Sequence, residues 1–167
     1  QNVNIPDANF KAYLVGESDI NTNGDTEIQF SEAAAYNGGI YCQTMNISDL
    51  TGIEAFTALN HLECDDNQLT RLDVTKNTAL TQLQCYNNKL TSLDVTKNTA
   101  LTDLNCDGNQ LTSLDVTQNT ALTKLYCEDN KLTSLDVTKN TALTELYCFK
   151  NQLTRLDVTK NTALNHL

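Results

Sequence analysis

The sequence has little of what membranes, nucleic acids and cofactors require. It contains no tryptophan, one proline and one methionine, and no apolar run approaches the length that crosses a membrane. Its 11 basic residues are outnumbered by 21 acidic ones, and the net charge of −10 makes nucleic acid and anionic membranes poor partners. There is no glycine-rich phosphate loop and no nucleophile beside a base, so we expect no enzyme.

A regular spacing of cysteines dominates what is present. Successive gaps are 22 residues and then 21 four times, and each cysteine follows an aliphatic residue by two positions. Self-similarity at this period is typical of stacked supersecondary units. Residues two apart share one face of a strand, so Leu83 and Cys85 both point inward. We expect each such strand to pair in parallel with its neighbours, about 4.8 Å away. The six cysteines are Cys42, Cys64, Cys85, Cys106, Cys127 and Cys148.

The second half of each coil has no helical periodicity and is dominated by Val, Thr and Leu. We therefore expect extended or short-strand structure on this return side. A solenoid with helices on its return side curves, because helices pack about 8–10 Å apart while strands lie about 4.8 Å apart. Extended chain on both sides gives neighbouring coils the same spacing on each side, so the stack should be nearly straight. Asparagines recur at both turns, where their amides can bond the backbone of the next coil.

One coil carries a family resemblance. The motif L-x-x-L-x-C-x-x-N-x-L lies at Leu80, Leu83, Cys85, Asn88 and Leu90, and residues 90–98 repeat its spacing. This pattern resembles the leucine-rich-repeat family, in particular the bacterial 21-residue class called IRREKO. Residues 47–59 also resemble the linking phrase of internalin-type surface proteins. The resemblance implies a right-handed leucine-rich-repeat solenoid over residues 40–167, a non-enzymatic binding scaffold, and a secreted or cell-surface location in bacteria.

The cysteines have a structural and a chemical interpretation. Inward Cβ atoms about 4.8 Å apart exceed the roughly 3.5–4.5 Å that a disulfide needs, and a linear ladder does not offer zinc four tetrahedral thiolates. We interpret the cysteines as small buried hydrophobes. A disulfide or a metal site is the alternative.

The repeat region begins with an irregular coil and ends with a truncated one. The last residues, 165–167, lie within a further strand of the cysteine type. We expect an apolar end that pairs with a second copy to form a homodimer, and the alternative is a native chain that continues past Leu167. Its predicted residues are Leu153, Leu156, Val158, Leu164 and Leu167.

Residues 1–39 are not repetitive and predict a helical cap. Asp7 can cap a helix that begins after Pro6, and Phe10, Tyr13 and Leu14 give that helix an apolar face. A repeat stack needs such an atypical end to cover its core.

Residues 21–32 of the cap resemble a calcium loop of the EF-hand or dockerin kind. Oxygen ligands at alternating positions and a carboxylate at position 12 are what a hard cation requires. Position 1 is Asn instead of Asp, and position 6 is Thr26 instead of Gly. The resemblance implies weak Ca²⁺ binding, and the alternative is a polar loop that is only solvated. The predicted ligands are Asn21, Asn23, Asp25, the carbonyl of Glu27, and Glu32.

Variation between coils indicates a recognition surface. The return side repeats one Asp and one Thr per coil without exception, whereas the residues before and after each cysteine differ. Aromatic residues among them are typical of binding hot spots. We expect this face to bind a protein or a glycan; the alternatives are a spacer repeat, a consensus-like scaffold without a specific ligand, or Asp and Thr rows that order water. The predicted face consists of Glu63, Asp65, Tyr86, Asp107, Tyr126, Glu128, Tyr147 and Phe149.

Overall fold

The computed structural model describes all residues 1–167 and consists of a parallel β-solenoid behind a small helical cap. The cap contains α1 (Ala8–Gly16) and α2 (Phe30–Ala35). Six short strands follow, joined in chain order into one parallel sheet. The predicted fold class is confirmed. The strands are β1 (Gly39–Tyr41), β2 (His61–Glu63), β3 (Gln82–Gln84), β4 (Asp103–Asn105), β5 (Lys124–Tyr126) and β6 (Glu145–Tyr147).

The apolar layer of the stack follows the predicted register. The middle residue of each strand is buried, and so is the cysteine two residues later in the first five coils. Cys148 is half-buried, and all six thiols are free. Burial raises the pKa of the Cys85 thiol to about 12, so this thiol stays protonated at ordinary pH.

The return side is extended and contains no helix, apart from one 3₁₀ turn at Ile53–Ala55 in the irregular first coil. A single bridge between Asp73 and Asp94 is its only strand pairing. Each Asp accepts hydrogen bonds from the Thr two residues later; Asp94 Oδ1 lies 2.9 Å from Thr96 N and 2.7 Å from its Oγ1. Each Thr hydroxyl therefore donates its proton to the Asp of its own coil, which argues against the alternative that the Asp and Thr rows order water. The straightness of the stack stays a prediction.

Buried asparagines join each coil to the one before it. Asn88 Nδ2 donates to the carbonyls of Cys64 and Cys85, and its Oδ1 accepts from Leu69 N at 2.9 Å. On the return side, Asn98 Nδ2 donates to the carbonyls of two residues of the preceding coil, but its Oδ1 has no partner. In Asn88 both the nitrogen and the oxygen of the side-chain amide therefore have hydrogen-bond partners, whereas in Asn98 only the nitrogen has them.

The cap is joined to the repeats through Asp7. Its Oδ1 accepts from Asn9 N and Phe10 N at the start of α1, which confirms the predicted N-cap. Its Oδ2 accepts from the backbone and hydroxyl of Ser48 at 2.8 and 3.0 Å. One carboxylate thus holds both the helix and the first coil.

Two tyrosine hydroxyls of the cap cover the free edge of β1. Tyr41 N donates to the Tyr13 hydroxyl at 2.9 Å, and the Tyr36 hydroxyl donates to the Gly39 carbonyl at 2.7 Å. These bonds replace a neighbouring strand, and they protect the sheet from pairing with another chain at this edge.

At the other end of the stack, the apolar side chains of the last coil are only partly buried, and Leu167 is 72% exposed. These are the residues of the predicted homodimer. The pairing itself stays a prediction.

Thiol titration tests the inward register of the cysteines. We expect Cys148 to react in the native protein and the other five to react only after denaturation, because only Cys148 is partly exposed. Cys148→Ser should abolish the native signal. Several fast thiols in that variant would contradict the register, and fewer than six thiols in denatured wild type would indicate disulfides.

Asp7→Ala should destabilise the protein in a pH-dependent way. Although burial alone would raise it, hydrogen bonds from Ser48 and Phe10 leave the pKa of Asp7 below its usual value. A depressed folded pKa stabilises the fold above the unfolded pKa of about 4, and the contribution is lost as pH falls through the folded value. We expect a loss of about 1–2 kcal/mol at neutral pH and less near pH 3, measured by denaturant unfolding.

Asp19→Ala is the matched control, because Asp19 is exposed and its side chain makes no hydrogen bond. Equal losses in the two variants would show that Asp7 does not join the cap to the stack.

Candidate functional site

The candidate site is the outward face of the sheet, which consists of three columns of side chains. The first column is the first residue of each strand, the second is the third residue, and the third is the residue after each cysteine. The register aligns residues of one column directly across neighbouring strands, as Asn105 with Tyr126 and Tyr126 with Tyr147. Neighbours in a column are about 4.8 Å apart.

The predicted face residues fall in the second and third columns, and the sequence analysis missed the first. That column contributes charged side chains, among them His61, Lys124 and Glu145. The signal was present, since strand alternation places the residue two before each second-column position on the same face.

Asp65 differs from the other members of the predicted face, because it is only 4% exposed. Burial raises the pKa of this carboxyl. The Asp65 carboxylate in turn raises the pKa of the neighbouring Tyr86 to about 12. Asp65 therefore lies beneath the surface and offers little area for contact with a partner.

The aromatic residues cluster at the end of the face remote from the cap. The rings of Tyr126 and Tyr147 lie 5.1 Å apart between centroids at 40°, and the Tyr126 hydroxyl donates to Glu145. Glu145 also pairs with Lys124 at 3.5 Å. These contacts hold the tyrosine pair in a defined orientation. Tyr86 lies two coils from Tyr126, so the structure does not bring all predicted aromatics together.

Phe149 continues this cluster past the end of β6. Its ring is 53% exposed, and the Lys150 ammonium lies 5.9 Å from the ring centroid. This distance is within the range of a cation–π interaction. At the opposite end of the face, the ring of Tyr41 lies 5.1 Å from His61, which pairs with Glu63 at 3.0 Å.

Three acidic residues lie in the third column and the turn that follows it, in the coils of β4 and β5, and we call Asp107, Glu128 and Asp129 the acidic patch. Asp107 Oδ1 accepts from the backbone N of Glu128 at 2.8 Å. Burial, together with the charges of Glu128 and Asp129, raises the pKa of Asp107 to about 7. None of the protein's four ion pairs includes a member of the acidic patch.

The turn after each cysteine explains part of this pattern. The residue that follows the third column has a φ of 50–59° in every coil, a left-handed conformation that favours Asn, Asp and Gly. Asp129 occupies this position in the fifth coil and Lys150 in the sixth. The conformation of the turn therefore accounts for Asp129 beside the face but not for Lys150.

The predicted calcium loop connects α1 to α2, and the carboxylate of Glu32, its predicted ligand at position 12, is already engaged in hydrogen bonds. Glu32 accepts from the backbone of Thr22, Asn23 and Gln29 at 2.9–3.2 Å. These bonds lower the pKa of Glu32 against the effect of its burial. No three His, Cys, Asp or Glu side chains converge on one point. The ligand set stays a prediction.

A catalytic arrangement is also missing from the face. Cys64 points inward, where its Sγ donates to the Gln84 carbonyl at 3.5 Å, whereas His61 points outward toward Glu63.

No helix has the length and apolar character to cross a membrane.

A family model and several solved structures match the chain. The model of the leucine-rich-repeat domain of the endo-beta-N-acetylglucosaminidase EndoS matches residues 26–140. The functional domain of InlJ from Listeria monocytogenes, described as including a cysteine ladder, is 34% identical with a TM-score of 0.65. That match covers 100% of this chain and 48% of the InlJ domain. A comparison with curated proteins found no match.

Two further structures have the same fold. The internalin InlF of Listeria monocytogenes is 21% identical with a TM-score of 0.80, over 96% of this chain and 48% of that one. A leucine-rich-repeat protein of Leptospira interrogans is 28% identical with a TM-score of 0.64, over 70% and 32%. The chain therefore spans about half the length of the internalins that it matches.

Asp107→Asn should stabilise the protein at high pH. The folded carboxyl keeps its proton up to about pH 7, whereas the unfolded chain releases it near pH 4, so wild-type stability falls as pH rises between these values. We expect Asp107→Asn to gain roughly 1–2 kcal/mol at pH 8, after solvent screening of this half-buried group, and little at pH 4. Melting curves across this range provide the measurement.

Asp103→Asn serves as the control, since it removes the same charge from the same coil. A gain for Asp107→Asn that does not change with pH, or an equal gain in the control, would show that the pKa of Asp107 is not raised in the folded protein.

Proposed function

The chain belongs to the leucine-rich-repeat family, and from this premise we propose that it is a non-enzymatic module that binds a partner through the outward face of the sheet. The partner is a protein, and a glycan is the second class that the test below covers. The setting is a bacterial surface or the extracellular space, as the likeness to InlJ suggests.

The observation that carries the proposal is the aromatic cluster at Tyr126, Tyr147 and Phe149. The tyrosine rings are packed against each other and oriented by Glu145, and Phe149 is more than half exposed. Rigid aromatic side chains lose little conformational entropy on binding and are enriched at hot spots. A spacer repeat has no need of such a cluster.

The contrast with the return side supports the same face. There the Asp and Thr of each coil repeat one local hydrogen-bonding arrangement, as in Asp115 with Thr117 and Asp136 with Thr138. A surface that repeats one local motif offers the same contacts at every coil. The sheet face differs in charge, size and aromatic content from coil to coil.

We propose in addition that the loop at residues 21–32 binds Ca²⁺ weakly. The buried Asn21 Oδ1 has no hydrogen-bond donor, because the amide is oriented by Nδ2 donating to the carbonyls of Val15 and Asp25. Such an oxygen suits a hard cation. Glu32 would have to release backbone donors to act as a ligand, which supports an affinity of roughly 10⁻⁴ to 10⁻³ M.

Binding by wild type and by Tyr126→Ala/Tyr147→Ala, compared on protein and glycan arrays, tests the proposed face. We expect the double variant to lose at least about tenfold in affinity for any partner that wild type binds, because truncated hot-spot aromatics cost 2 kcal/mol or more. Ser92→Ala/Ser113→Ala changes exposed residues of the return side and should leave binding intact. Binding that survives the tyrosine changes would place the recognition surface elsewhere.

Melting temperatures in chelator and in millimolar calcium test the cap loop. We expect calcium to raise the melting temperature of wild type, because a ligand that binds only the folded state stabilises it. Asp25→Asn removes a charged ligand and should abolish the shift, whereas Asp66→Asn, outside the loop, should retain it. An unmoved wild-type transition would show that the loop is only a hydrogen-bonded turn.

A further inference from the structure

We propose that the partner of this face is a basic polypeptide segment, whose arginine or lysine side chains lie between the Tyr126–Tyr147 pair and the acidic patch. The inference rests on the proposed function and adds the chemistry of the partner. It follows from uncompensated charge, from the aromatic rings beside it, and from the geometry of the turn that joins them.

The acidic patch has no cation of its own. Asp107, Glu128 and Asp129 take no part in any ion pair, whereas Glu27, Glu63 and Glu145 do. Asp107 and Glu128 are partly buried and Asp129 is exposed. Partly buried carboxylates without an ion pair destabilise a folded chain, and such charges are typical of surfaces that meet an opposite charge in a complex. A basic partner would supply that charge.

The patch and the tyrosine pair lie within the reach of one side chain. Glu128 follows Tyr126 by two residues, a distance of about 6–7 Å along an extended chain. Asp107 Oδ1 accepts from the backbone N of Glu128, and the Glu128 charge contributes to the raised pKa of Asp107, so the two carboxylates of neighbouring coils act on each other. A guanidinium can stack on an aromatic ring and donate to a carboxylate at the same time, because it is planar and has several N–H groups.

The protein already places one cation in this way. The Lys150 ammonium lies over the ring of Phe149, on the coil that follows the patch. Lys124 pairs with Glu145, and Lys131 Nζ donates to Gln110 Oε1. The three carboxylates therefore form no ion pair with a cation of the chain, while the neighbouring ring has one.

The binding of a cation here should depend on pH. The carboxylates of Glu128 and Asp129 and the buried thiols of Cys85, Cys106 and Cys127 lie close enough to Asp107 for their charges to interact with it, and none of these groups is basic. A cation binds the deprotonated form of Asp107, so affinity should be highest near pH 8 and should fall toward pH 6. The pKa of about 7 supports this range.

The test uses a labelled peptide of about ten residues that alternates Arg and Ser, and a matched peptide with Gln in place of Arg, in about 150 mM salt. Fluorescence anisotropy measures binding to the full chain. Asp107→Asn/Glu128→Gln/Asp129→Asn removes the charges of the patch, and Asp94→Asn/Asp115→Asn/Asp136→Asn removes the same number from the return side. The second variant controls for the general attraction of an acidic protein.

We expect wild type to bind the Arg peptide and not the Gln peptide, with a loss of about tenfold or more in the patch variant and less than about twofold in the return-side variant. Asp107→Asn alone should remove the pH dependence between pH 6 and pH 8. Equal losses in the two triple variants, or no binding of the Arg peptide, would overturn the inference.

The proposed function has a separate outcome. If an array partner is lost in Tyr126→Ala/Tyr147→Ala but binds the patch variant unchanged, the face is confirmed as a binding surface and the basic partner is refuted. If the Arg peptide binds through the patch and no array partner depends on the tyrosines, the aromatic face is refuted.

Discussion

A buried asparagine after each cysteine strand holds every coil to the one before it. The strands are three residues long, and backbone hydrogen bonds between coils continue past them, as from Cys85 N to Asn105 O and from Asn87 N to Asp107 O, both at 2.9 Å. Asn109 makes four bonds at 3.0–3.1 Å. Two of them reach the preceding coil, from its Nδ2 to the Cys85 carbonyl and from Leu90 N to its Oδ1, and two close its own turn, from Nδ2 to the carbonyls of Cys106 and Asp107. A buried amide with every group satisfied stabilises the turn, whereas one with a missing partner costs free energy.

The position of the functional surface follows from this arrangement. The inward leucine, the cysteine and the asparagine must recur in each coil, because a single coil cannot bury its apolar layer alone. The outward columns have no such requirement, and there the chain carries unpaired carboxylates at Asp107 and Glu128 beside the ring of Tyr126. The carboxylates reduce the stability of the fold, and the tyrosine ring exposes apolar surface. The proposed binding therefore requires a stack that is stable enough to tolerate both.

The repeat pattern was enough to predict the fold, and it was not enough to predict the environment of single side chains. The two-residue spacing of Leu83 and Cys85 determines which face is inward, and Asp7 before an apolar helix face determines the cap; both are local signals. The burial of Asp65 and the missing partner of Asn98 Oδ1 depend on neighbouring coils, which a pattern does not describe. For the same reason, Glu32 at position 12 matches a cation ligand in sequence, while in the structure it accepts backbone N–H groups.

The unfolding free energy of Asn109→Ala tests most directly whether these asparagines hold the stack together. The substitution leaves three carbonyls and one N–H group without their partner, and we expect a loss of about 3 kcal/mol or more. Gln110→Ala changes the exposed neighbour and should cost less than about 0.5 kcal/mol. A loss below about 1 kcal/mol for Asn109→Ala would show that apolar packing alone orders the coils, and it would contradict the account.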